Sequence, residues 1–125
     1  MQVGELRTHF PWGLLLVTDA EASDKIPQWD SDEDQATASD TAVVLRVLHG
    51  DEGETTVRVW DDESSVDGHE AFDGTVDLPS GTLRIGDALG EETVTVRRDT
   101  GRVRLRIVTN EPREPNLVDV VIAAG

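Results

Sequence analysis

The segment RVRLRIV, residues 102–108, alternates without a break: Val103, Leu105 and Ile107 fall on one side and Arg102, Arg104 and Arg106 on the other. Only an extended strand with one buried face puts side chains in that order, because successive strand residues point to opposite faces while a helix repeats every 3.6 residues. The same period recurs along the chain. In TAVVLRVL, Val43, Leu45 and Val47 share a face; in TTVRVW, Val57 and Val59 oppose Arg58 and Trp60. FDGTVDL, TLRIG and TVTVRR alternate around Val76, around Leu83 and Ile85, and around Val94 and Val96. QVGELRT and GLLLVTD, separated by the Pro-Gly bend HFPWG, supply two more candidates near the amino terminus. The closing segment NLVDVVIA is apolar on both faces except at Asp119, the pattern of a strand covered on both sides inside a sheet.

Short alternating segments separated by Gly, Pro and Asp turns predict an all-β fold, an antiparallel β-sandwich of about eight or nine strands, with a barrel as second choice. A chain of 125 residues with 37% hydrophobic content is the size of one domain, spanning 1–125. Two hairpins are expected. HGDEGE should join residues 41–48 to 55–60 as antiparallel neighbours, and RDTG should join residues 93–98 to 102–108. Residues 19–40 show no alternation and read as one long acidic loop with a single helical turn near 34–38.

Charge is distributed unevenly. The net charge is −15, and residues 1–79, with 19 acidic and 4 basic side chains, carry all of it; residues 80–125 hold 7 of each. Such a chain repels nucleic acid directly and is steered toward basic partners. Ten of the eleven basic residues are arginine, so the excess also suits a salt-adapted or GC-rich genome, where charge serves solubility and implies no partner. Arg102, Arg104 and Arg106 resemble a basic patch, but in an acidic sheet pairing with carboxylates on adjacent strands is the favoured reading.

The stretch WDSDEDQ sets Asp30, Asp32, Glu33 and Asp34 directly after Trp29. An EF-hand loop fits poorly: counted from Asp30, the required glycine is Gln35 and the bidentate glutamate is Thr41, so no specific metal site is assigned. His9, His49 and His69 are scattered without metal-ligand spacing, and no serine sits in a nucleophile elbow. No enzyme, cofactor or phosphate loop is therefore predicted. The absence of cysteine and of a signal-like or membrane-spanning segment points to a cytoplasmic protein with no membrane role. Among the aromatics, Trp60 and Phe72 follow strand patterns and are assigned to the core. Trp12 in its bend and Trp29 beside the acids have the setting of interface anchors ringed by charge.

The order IPQWDSDEDQATASD, the strand TAVVLRV, then FDGTVDLPSGTLRI and the terminal LVDVVIA resembles the competence-protein ComJ family, inhibitors of a nuclease of DNA uptake. The resemblance lies in a Pro-Trp-acidic loop, its following strand, a Leu-Pro-x-Gly turn and a closing strand, over most of residues 26–122. It implies a non-enzymatic inhibitor whose carboxylates fill a cationic groove. The candidate contacts are Trp29, Asp30, Asp32, Glu33 and Asp34, with Asp61, Asp62 and Glu63 as a second patch. The alternatives are an accessory β-sandwich of a salt-adapted cell and, third, a cation-binding module.

Overall fold

The structure, a computed structural model, describes residues 2–21, 35–61, 66–98 and 101–124. Among these, ten strands form two sheets. They are β1 (Gln2–Thr8), β2 (Leu14–Asp19), β3 (Ala36–Ala38), β4 (Ala42–Arg46), β5 (Thr55–Trp60), β6 (His69–Leu78), β7 (Thr82–Asp87), β8 (Thr93–Arg97), β9 (Gly101–Thr109) and β10 (Leu117–Ala124). The first sheet has the order β1-β5-β10-β9-β6 and the second β3-β4-β2-β7-β8. Every pairing is antiparallel except β5 with β10. The sheets stack as an open β-sandwich, as the alternation predicts; they do not close into a barrel.

The apolar side of each alternating segment fills the space between the sheets. Val57, Val59, Leu105, Ile107, Val118 and Val120 from the first sheet meet Leu15, Val17, Val43, Leu45, Leu83 and Ile85 from the second, and all are buried. Phe10 joins them at 0% exposure and closes one end of the core. At about 1.5–3 kcal/mol per fully buried large apolar side chain, this layer is the main source of stability. As expected for a strand covered on both sides, β10 lies between β5 and β9, and Val118 through Ile122 are all buried.

Both hairpins expected from the sequence are absent. β4 belongs to the second sheet and β5 to the first; β8 pairs with β7 while β9 pairs with β6 and β10. The loop 47–54 therefore carries the chain between sheets, held by Val47 N–H to Gly13 O, Leu48 N–H to Pro115 O and Gly50 N–H to Phe10 O. Alternation fixes which face of a strand is buried, and in a sandwich a short turn serves equally to pair two strands or to cross from one sheet to the other. The region expected as a continuous loop with a helical turn contains β3, whose Ala36, Thr37 and Ala38 pair with Leu45, Val44 and Val43. Three small residues at a sheet edge carry too little alternation to announce a strand.

Strand directions give the sandwich two distinct ends. At the upper end lie the 9–13 bend, the loops 47–54 and 110–116, the 88–92 turn and the starts of β3 and β6. At the lower end lie Asp61 and the turns 39–41 and 79–81. Two buried carboxylates serve turns. Asp19 accepts hydrogen bonds from the Ser80 amide and hydroxyl and from the Glu21 amide, and Asp87 accepts from the Glu91 and Glu92 amides.

Candidate functional site

On the outer face of the first sheet the arginine stripe is matched by acids of β6. Arg102 bonds Asp77 at 3.0 Å, Arg104 reaches Asp73 at 2.7 Å and Arg106 reaches Glu70 at 2.9 Å. Only Arg102 and Asp77 stand directly opposite in register; the other pairs run diagonally, toward the register shift between Glu70 and Phe72. Arg104 holds the Asp73 carboxyl below its ordinary pKa, chiefly through their hydrogen bond. The stripe is thus pairing within the sheet, as the sequence favoured, and its positive charge is locally compensated.

Further along this face, Asp119 of β10 is 5% exposed. It accepts two parallel bonds from Arg58, from Nε at 2.8 Å and Nη2 at 3.0 Å, and a third from Trp60 Nε1 at 2.8 Å. The Arg58 guanidinium lies 5.6 Å from the Trp60 ring centroid. Hydrogen bonding to Asp119 raises the arginine's pKa above its ordinary value, against the opposing effect of burial. Trp60 is therefore not a core residue, contrary to the strand-pattern assignment. It lies half-buried on the outer face because its position in β5 has the parity of Arg58, not of Val57 and Val59. Phe72 does pack against the core, half-buried.

The surplus carboxylates of the described residues gather at the upper end. Asp51, Glu52 and Glu54 lie on loop 47–54, Asp67 precedes β6, Glu91 and Glu92 follow the 88–90 turn, and Glu111 and Glu114 lie on loop 110–116; all are exposed. Gln35, the residue after Asp34, is anchored at this end. Its backbone carbonyl accepts from Arg46 N–H at 2.8 Å, its side-chain nitrogen donates to Glu111 O at 3.4 Å, and its side-chain oxygen lies 3.1 Å from His69 Nε2. The other histidines brace the same end: His9 Nδ1 lies 2.9 Å from Gly50 O, and His49 Nδ1 accepts from Asp51 N–H.

Trp12 stands among these loops. It is 61% exposed and has φ +58°, the one positive φ among described non-glycine residues. Gly13 follows with φ +65°, and a Cβ there would meet Val47 O at 2.7 Å, so only glycine fits. The bend thus buries Phe10 and turns Trp12 outward. Beside it is a shallow hollow of about 180 Å³ lined by Leu14, Arg46, His49, Arg113 and Glu114.

Of the contacts named from sequence, Asp61 lies exposed at the lower end, the length of β5 away from Gln35. Trp29, Asp30, Asp32, Glu33, Asp34, Asp62 and Glu63 lie outside the described residues. Among the described residues, no group of three His, Asp or Glu converges as a metal ion requires, and no helix is long and apolar enough to cross a membrane. The contribution of Trp12 was partly legible in its Pro-Gly setting. That of Arg46, His49 and Arg113 was not, since the hollow joins three separate stretches of chain.

These features define the class: an open two-sheet β-sandwich with one charge-compensated sheet face and a carboxylate-rich end that displays a tryptophan. No protein-family model and no curated protein matches the sequence. Two solved structures match the fold. One is ComJ, inhibitor of the DNA degrading activity of NucA, from Bacillus subtilis, with TM-score 0.78 over 100% of this chain and 98% of that one at 10% identity. The other is described as crocagin biosynthetic gene J, with TM-score 0.56 over 97% of this chain and 94% of that one at 15% identity. The resemblance to ComJ read from the order of segments thus recurs in the three-dimensional fold.

Proposed function

We propose that this chain is a non-enzymatic binding protein of the cytoplasm that captures a basic protein, a DNA-degrading nuclease above all, and inhibits it. The observation that carries this reading is the gathering of exposed carboxylates around an outward-turned Trp12 at one end of a rigid sandwich. Gln35, which follows Trp29, Asp30, Asp32, Glu33 and Asp34 in sequence, is itself anchored at that end. We assign those residues to the contact. Asp61 lies at the opposite end, and we assign Asp61, Asp62 and Glu63 to a second patch. The fold likeness to ComJ supports the inhibitor class.

The chemistry suits the task. A nuclease presents a cationic groove to phosphates, and an array of carboxylates on a preformed scaffold competes for that groove without reacting. The net charge of −15 turns the chain itself away from nucleic acid. No cofactor or metal takes part in such a mechanism.

The test is capture from the source cell's lysate on immobilised protein at roughly 0.1 M and 1 M salt, between which the screening length falls from about 10 Å to about 3 Å. A basic protein held at low salt, released at high salt and inhibited in a DNA-degradation assay supports the reading. Charge reversal of Asp32, Glu33 and Asp34 to Lys should slow association and flatten its salt dependence while leaving the fold intact. If the folded protein retains nothing at low salt, the charge serves solubility and the accessory-domain reading replaces this one.

A further inference from the structure

We propose that the hollow beside Trp12 receives one acidic side chain of the protein partner, so that the carboxylate-rich end carries a single contact of opposite sign that fixes how the partner docks. This rests on the binding reading above and adds a specificity element to it.

Three observations support it. First, Trp12 takes its left-handed conformation as the third residue of the turn closed by Gly13 N–H to Phe10 O, and that turn holds its indole outward and exposed. Second, the lining departs from the surrounding charge: Arg46 and Arg113 both border the hollow with Glu114 as the only acid in its lining, whereas exposed carboxylates dominate the surrounding loops. Arg113 forms no ion pair with another described residue. Third, the volume of about 180 Å³ suits one side chain and is below the roughly 300–1,000 Å³ of sites for larger small molecules. An arginine and an indole bordering one hollow offer a carboxylate a charge-assisted pair and its methylenes an apolar surface.

The experiment compares dissociation and association rates of the captured partner with wild-type protein, Arg113→Gln and Trp12→Ala, with thermal melts as a fold control. General electrostatics and the hollow predict opposite signs for Arg113→Gln. Removing a positive charge from an acidic protein should tighten its hold on a basic partner, whereas loss of a specific carboxylate contact should weaken it about tenfold through faster dissociation. A double-mutant cycle against each Asp and Glu of the partner's contact surface should find one residue whose replacement costs nothing further once Arg113 is changed. Affinity within twofold of wild type, tighter binding, or no coupled partner acid overturns the hollow's role while leaving the binding reading intact. Capture of no partner at all overturns both.

Discussion

Asp119 and Arg58, on the parallel neighbours β10 and β5, meet through two bonds of 2.8 and 3.0 Å on the outer face of the first sheet. Their environments differ: the Asp119 side chain is 7% exposed and that of Arg58 34%. Removing one partner therefore has unequal consequences. Asp119→Ala frees an arginine that can reach water, a loss of about 1.5–3 kcal/mol for the charged hydrogen bonds, reduced by solvent screening at the arginine. Arg58→Ala leaves a buried carboxylate with Trp60 as its one remaining side-chain donor and should cost about 3–5 kcal/mol. Denaturant unfolding of both variants checks the order; an equal or reversed loss would show that the pair is more solvated than its geometry indicates.

Asp73 gives the fold a pH dependence of known sign. Its folded pKa lies below the ordinary value because of Arg104. The folded state therefore favours the ionised form, and the contribution is fully present above the unfolded carboxylate pKa of about 3.9 and lost as pH falls through the lower folded value. In Arg104→Gln the Asp73 midpoint, followed by carboxyl-carbon NMR, should move up toward the ordinary range, and acid unfolding should begin at higher pH. An unmoved midpoint would assign the shift to another group.

The Phe10–Gly13 bend separates stability from function. Gly13→Ala adds a left-handed strain to a collision with Val47 O and should cost about 2–4 kcal/mol. Trp12→Asn should do the reverse, since asparagine tolerates the left-handed region: melting temperature unchanged or raised, by at most about 1 kcal/mol of stability, with partner affinity reduced. A Trp12→Asn protein that melts lower and binds as well as wild type would make the tryptophan a structural plug after all.

How much of this was legible in the sequence follows from what alternation encodes. Val103, Leu105 and Ile107 announced their strand and their buried face, and the arginines between them announced pairing with neighbouring acids. Which strand lies beside which is a property of the whole sandwich. RDTG signals a turn correctly, yet β8 and β9 belong to different sheets. Trp60 was misassigned because a tryptophan in an alternating strand suggests burial, while its parity with Arg58 placed it on the other side. Ala36–Ala38 was missed because pairing with β4, more than any signal of its own, makes it a strand. Of the candidate site, the charge and the exposed bend were readable, but the convergence of Arg46, His49 and Arg113 depends on loops distant in sequence.

Salt separates the two explanations of the charge most directly. Carboxylates crowded at the upper end repel one another, so raising salt from roughly 0.1 M to 1 M should stabilise the fold by screening whatever the charge is for. If the charge also steers a basic partner, the same change should weaken binding through slower association, giving opposite salt responses from one set of side chains. The double variant Asp51→Lys, Glu52→Lys concentrates the contrast. Both residues are exposed on loop 47–54 beside the Trp12 hollow. Stability should change by no more than about 0.5 kcal/mol per site, with less of it gained on adding salt. Association with the partner should slow by about tenfold or more at low salt and converge on wild type at high salt. A variant that associates at the wild-type rate at low salt would place the steering charge elsewhere on the surface, away from this end of the sandwich.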